Sequence, residues 1–193
     1  MISVNLFRNP ILCITLFSFH LTTHAMSTHN TDIFAVLEKS PLLNSIPMHD
    51  YLKSIGKKAE FDNQVFLVTL ESGHRGVFKP CTNDAQDMDD FYAEVAAYKA
   101  SKYMGFNFVP PTVIRTINGV AGSLQLFIET NIDPLNSNAF STAMNQVHPD
   151  DKANLKIFYF VFGQWDTGPH NMLIDKNNGN VRLIAIDNSG ICN

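Results

Sequence analysis

The chain has 193 residues, 45% of them hydrophobic and 17% charged, with a formal net charge of −4. That suits one folded domain and excludes a disordered tail, a collagen-like repeat, a coiled coil and a basic nucleic-acid footprint. Three cysteines, at 13, 81 and 192, are too few and too scattered for a disulfide framework or a zinc site.

Residues 1–25 hold one cation, Arg8, no acid, and an apolar run from 11 to 21. As a helix that run rises roughly 16 Å, about half of a ~30 Å bilayer core, so it suits a signal-peptide core rather than a membrane span. A small residue, Ala25, ends the segment, as a cleavage site requires. The alternative is translation from Met26. The first reading exports the protein and the second leaves it in the cytoplasm.

The segment 26–49 is expected to be helical, with Ile33, Val36 and Leu37 on one face of a short amphipathic helix over 32–43. A strand over 64–70, a turn at Glu71-Ser72-Gly73-His74 and a strand over 76–79 read as a hairpin. The next helix covers 87–103: acids crowd its first turn and Gly105 lies just beyond its end. Strands over 112–116 and 123–129 flank an Asn118-Gly119 turn, and 130–149 reads as a polar connection. The stretch 150–163 starts with acids and becomes almost wholly apolar, which predicts a helix buried on most sides. Strands over 172–175 and 181–186 then flank Asn177-Asn178-Gly179-Asn180. This order predicts an α+β fold rather than alternating β-α units. No GxGxxG or GxxxxGK[ST] is present, so dinucleotide-fold and P-loop readings fail.

A few polar residues are unexplained by local structure. At 100° per residue, Glu94 falls at the edge of the apolar stripe formed by Phe91, Val95 and Tyr98. A carboxylate drawn from water needs a cation, and Lys79, at the end of the preceding strand, is the best placed. Asp166 lies in a short loop with Gly168 and Pro169, five residues before Asn171. With Asn178-Gly179 as a two-residue turn, Asp175 faces Arg182 and Asn171 faces Ile186, which puts Asn171 beside Asp187. Two carboxylates and an amide oxygen are hard ligands suited to Mg²⁺ held against phosphates.

This constellation resembles the ATP site of the protein-kinase-like superfamily, in which a strand lysine pairs with a helix glutamate. There an Asp-x-x-x-x-Asn loop and a metal-binding Asp after a hairpin follow. The elements here are Val77-Phe78-Lys79-Pro80, Glu94, Asp166-Thr-Gly-Pro-His-Asn171 and Asp187-Asn-Ser-Gly190. The Phe-Lys-Pro form, with Val109-Pro-Pro-Thr112, resembles the atypical branch of phosphatidylinositol 3-/4-kinase catalytic domains and HipA-type kinases. The resemblance implies a kinase-like domain over 50–193, with an antiparallel-sheet N-lobe carrying one helix (about 50–130) and a partial, mainly helical C-lobe with a short hairpin (about 131–193). It implies ATP and Mg²⁺ as cofactors, and a protein or lipid hydroxyl as acceptor.

By that resemblance Lys79 holds the α/β-phosphates, Glu94 orients Lys79, Asp166 is the catalytic residue, and Asn171 and Asp187 carry the metal. Gln125 and Phe127 fall in the hinge beside adenine, and the phosphate-covering loop falls near 54–58. The chain departs from the pattern in having one glycine in that loop and Trp165 before Asp166. An incomplete C-lobe would leave apolar surface on the helix over 150–163 for a protein partner. The competing reading is a catalytically inactive kinase-like module that binds nucleotide or a protein. A metal-dependent hydrolase fits poorly, since of seven histidines only His170 lies near these residues.

Overall fold

A paired left-handed turn anchors the first sheet. Asn118 and Gly119, at φ +52° and +83°, form a type I′ turn between β4 (Thr112–Ile117) and β5 (Val120–Leu126). β5 pairs with β3 (Arg75–Pro80), which forms a hairpin with β2 (Phe66–Leu70), and β2 pairs with β1 (Leu42–Pro47). The antiparallel order is therefore β1-β2-β3-β5-β4. The computed structural model describes residues 32–57, 64–81, 85–134, 136–177 and 179–191, so the expected leader at 1–25 lies outside the described residues.

Alternation along the strands collects Val68, Leu70, Phe78, Val113, Ile117 and Leu124 into one core. Leu37 of α1 (Ile33–Lys39) is buried in it. Asp32 caps α1 by accepting from Phe34 N, and Arg115 donates to the carbonyls of Leu37 and Ser40, which fastens the helix to the sheet. Gly122 permits close contact between β3 and β5: a Cβ there would run into the Lys79 carbonyl and the Phe78 ring.

A second core lies C-terminal to the first. Ala97 and Tyr98 of α3 (Ala85–Tyr103) enter it together with α4 (Ser137–Gln146), α5 (Pro149–Phe162) and the hairpin β6 (Met172–Asn177)–β7 (Asn180–Ala185). Phe158 is fully buried there, which stabilises the fold by about 1.5–3 kcal/mol. Asp150 and Asp151 complement the positive end of the α5 dipole. The β6–β7 register sets Asp175 opposite Arg182, as the two-residue turn requires.

Four local expectations change. The segment 32–43 holds a shorter helix, and the chain then enters the sheet as β1, because Leu42 to Pro47 find a partner in β2 that no local pattern announces. The 130–149 connection contains α4, capped by Asn136 and buried through Phe140 and Ala143. Its Asn- and Ser-rich composition has weak intrinsic helix preference, and burial decides the matter. α5 is buried on one side only: Leu155, Phe158 and Tyr159 face inward, whereas Ile157 and Val161 are exposed and Phe160 is 88% exposed. Finally, a helix that no local pattern announces, α2 (Met48–Ser54), stands ahead of the expected phosphate-covering loop, and 55–57 form its exit turn. Lys58 lies outside the described residues.

Gly122→Ala should destabilise the protein by about 1–3 kcal/mol, the usual cost of overpacking, as read from urea denaturation. An unchanged midpoint would mean that β3 and β5 are not so closely apposed.

Candidate functional site

Lys79 follows Phe78 on β3, so its side chain leaves the sheet on the face opposite the Phe78 core. Its ammonium meets Glu94 Oε1 and Asp187 Oδ1, each at 2.5 Å. Glu94 is only 2% exposed, and its second oxygen accepts from Asn188 N at 3.2 Å. One carboxylate on α3 thus ties β3 to the loop after β7. Asp187 has φ +54°, a left-handed conformation that aspartate adopts more readily than most residues.

The loop after α5 is joined to the same place through its backbone. Gln164, nearly buried, donates from Nε2 to the carbonyls of Asp166 at 3.0 Å and Asp187 at 3.1 Å. Those two carbonyls are therefore no farther apart than two hydrogen bonds through one nitrogen. Asn171 donates from Nδ2 to the Asp166 carbonyl at 3.2 Å and accepts from Ile186 N at 2.9 Å. His170 Nε2 lies 3.2 Å from the Asp166 carboxylate. A Cβ at position 168 would meet the His170 ring, so a larger residue there would push that ring aside.

The charges are strongly coupled. Burial pulls the Lys79 ammonium toward neutrality, but the Glu94 and Asp187 carboxylates outweigh it and hold its pKa above the ordinary lysine value. Burial pushes the Glu94 carboxyl up, against the Lys79 charge and the Asn188 N–H, while the Asp187 charge adds to the rise. Slight burial also works against ionised Asp166. Hydrogen bonds from His170, Asn171 and the Gly168 backbone overcome it and hold that carboxyl below its usual range.

The structure thus brings Lys79, Glu94 and Asp187 into direct contact and connects Asp166 and Asn171 to them through backbone hydrogen bonds. Gln125 and Phe127 stand apart. The Gln125 amide donates to Thr112 Oγ1 at 3.0 Å within the sheet, and the Phe127 N–H donates to Arg75 O at 2.9 Å. Gln164 escaped the sequence reading, although a polar amide directly after the glycine that ends an apolar helix was a signal available to it. A cavity of about 420 Å³ between α4 and β6, lined by Asn138, Thr142 and Lys176 among others, shares none of these residues.

No protein-family model matches the sequence, and no curated protein matches it either. Among solved structures, the chain is similar to the crystal structure of the Golgi casein kinase, with a TM-score of 0.53 and 14% identity. The likeness covers 83% of this chain and 56% of that one, so this chain spans little more than half the length of its neighbour. The fold is protein-kinase-like. It is the atypical form of that fold, mixed α+β, with an antiparallel-sheet lobe followed by a partial helical lobe. Among the described residues no helix is long and apolar enough to cross a membrane.

Gln164→Ala should cost about 1–3 kcal/mol, because it leaves two carbonyls short of a donor, and the loss should appear in chemical denaturation. Asp166 gives a pH prediction. A depressed pKa adds stability that is present above the ordinary value of 3.8 and disappears as pH falls through the folded value. The stability difference between the native protein and Asp166→Asn should therefore shrink on acidification below about pH 3.8. A difference that stays constant with pH would contradict the network drawn around that carboxylate.

Proposed function

We propose that the protein is an Mg-ATP-dependent phosphotransferase acting on a hydroxyl acceptor. The observation that carries this reading is the Lys79 ammonium held between Glu94 and Asp187 on the cleft face of a kinase-like sheet. Phosphoryl transfer asks for positioning and charge neutralisation more than for covalent chemistry, and the five polar residues supply both. Lys79, kept cationic by its two carboxylates, would receive the α/β-phosphates, with Glu94 as its orienting partner. Asp166, kept ionised by His170 and Asn171, would orient the acceptor hydroxyl or take its proton.

The donor set fits Mg²⁺: the Asp187 carboxylate and the Asn171 amide oxygen are hard ligands, and they would hold the ion. Bound Mg²⁺ supplies charge neutralisation on the phosphates. Asp187 Oδ1 is paired with Lys79 and also accepts from Ser189 Oγ at 3.4 Å, so an ion held by that carboxylate would compete with the Lys79–Asp187 pair. The acceptor is a protein or a lipid. The Phe-Lys-Pro motif supports kinship with phosphatidylinositol 3-/4-kinases and HipA-type kinases, while the solved neighbour is described as a casein kinase. That neighbour belongs to the Golgi, which supports export through residues 1–25 over a cytoplasmic start at Met26. The sheet-bearing lobe would reach back to β1 and run to about residue 130, with the helical lobe after it.

The exposed apolar side of α5 favours a second reading, a kinase-like module that binds nucleotide or a protein partner without turnover. One experiment separates the two: titration of Mg-ATP into the full chain, followed by thermal unfolding and by release or transfer of the γ-phosphate. At a hundredfold excess over Kd the nucleotide should stabilise the protein by about 2.7 kcal/mol. Asp187→Asn and Lys79→Ala should both lose that stabilisation. Binding without any γ-phosphate chemistry would favour the module, and no stabilisation of the native chain would sink the nucleotide site itself.

A further inference from the structure

The face of β3 that carries Lys79 also carries Val77 and Arg75, since alternate residues share a face. Arg75 lies four residues from Lys79, about 13 Å along an extended strand. An extended nucleotide separates its base from its terminal phosphates by a distance of that order. At this far end the chain builds a stack. The Arg75 guanidinium carbon lies 4.7 Å from the centre of the Phe127 ring and 5.9 Å from that of Tyr51. The two rings meet edge to face at 5.8 Å. Glu129 Oε2 accepts from Arg75 at 2.8 Å and holds the guanidinium in place.

Neither Tyr51 nor Phe127 belongs to either of the two cores. Their rings are only partly buried, and so is Arg75. An aromatic pair placed for stability alone would be expected in the apolar interior, where its area is removed from water. Here the pair stays partly exposed, with the Arg75 guanidinium over both rings. Tyr51 arrives there because α2 stands between β1 and β2. Planar guanidinium groups and aromatic rings are the surfaces on which nucleobases stack.

We propose that Tyr51 and Arg75 are specificity-determining residues for the base of the nucleotide. The base stacks against the guanidinium plane and the Tyr51–Phe127 pair, while Lys79 takes the phosphates at the other end of the same strand. The proposal rests on the nucleotide reading above and adds the residues that recognise the base. It assigns α2 the role of carrying a base contact, and it makes Glu129 the residue that holds the Arg75 guanidinium against Phe127.

The test compares two probes on the full chain by calorimetric titration: Mg-ATP, and Mg-tripolyphosphate, which has the phosphates and no base. Arg75→Ala and Tyr51→Ala should each weaken Mg-ATP on the order of tenfold and leave tripolyphosphate within twofold of the native value. Arg75→Lys retains the charge opposite Glu129 without the plane, so it should behave like Arg75→Ala. Glu129→Gln should weaken Mg-ATP by less than Arg75→Ala does and leave tripolyphosphate unchanged. Equal weakening of both probes would overturn the proposal, since a misfolded or generally disturbed site acts that way. Unchanged ATP affinity in Arg75→Ala and Tyr51→Ala would overturn it too, leaving the phosphate site intact. If the native chain binds neither probe, the nucleotide reading itself falls and takes this proposal with it.

Discussion

The structure turns on one ammonium shared by two carboxylates. Lys79 comes from the sheet, Glu94 from α3 and Asp187 from the loop after β7, so three separately built parts of the molecule meet in one ion cluster. Burying Glu94 without Lys79 would leave an uncompensated charge, a penalty of about 3–5 kcal/mol when one partner of such a pair is lost. Asp187 reaches the cluster from a loop in which it takes a left-handed backbone conformation. The cluster carries one excess negative charge.

The two cores divide the labour around that cluster. The sheet core, sealed by α1 and Arg115, keeps β3 rigid and so aims Lys79. The helical core, centred on Phe158, places the end of α5 against the β6–β7 hairpin. Gln164, at that end, then stitches the Asp166 loop to the Asp187 loop with a single amide nitrogen. α3 belongs to both assemblies: Glu94 points to the lysine, and Ala97 and Tyr98, one turn later, enter the helical core. Any movement between the two halves must therefore be felt at Glu94, a general property of packed elements that share a buried charge.

α5 shows what happens when an apolar helix is covered on one side only. Its inner residues are buried in the second core, whereas Phe160 and its neighbours face outward, followed by Trp165 beside Asp166. An apolar stripe of this kind is the sort of surface that interaction partners cover. Elsewhere on the surface, the exit from α2 brings Lys57 to 4.0 Å from Asp133. That surface pair adds little stability by itself, since exposed ion pairs contribute about 0–1 kcal/mol.

The sequence by itself determined whatever depends on short-range rules. The Asn118-Gly119 turn, the Asp175–Arg182 register, the boundaries of α3 and α5 and the spacing of Asp166 from Asn171 all follow from turn chemistry, capping and periodicity. So did the suspicion about Glu94, because helical geometry alone puts that carboxylate at the margin of an apolar stripe. Tertiary structure decided the rest. β1 exists because β2 offers it an edge, and α4 because its Phe140 face finds a core. The Gln125 amide donates to Thr112 because the neighbouring strand places a hydroxyl within reach. Likewise the roles of Gln164 and Arg75 are invisible along the chain, since each depends on partners supplied by other elements. Local rules act over a few residues, whereas the choice among competing partners is made only when distant segments bury a common surface.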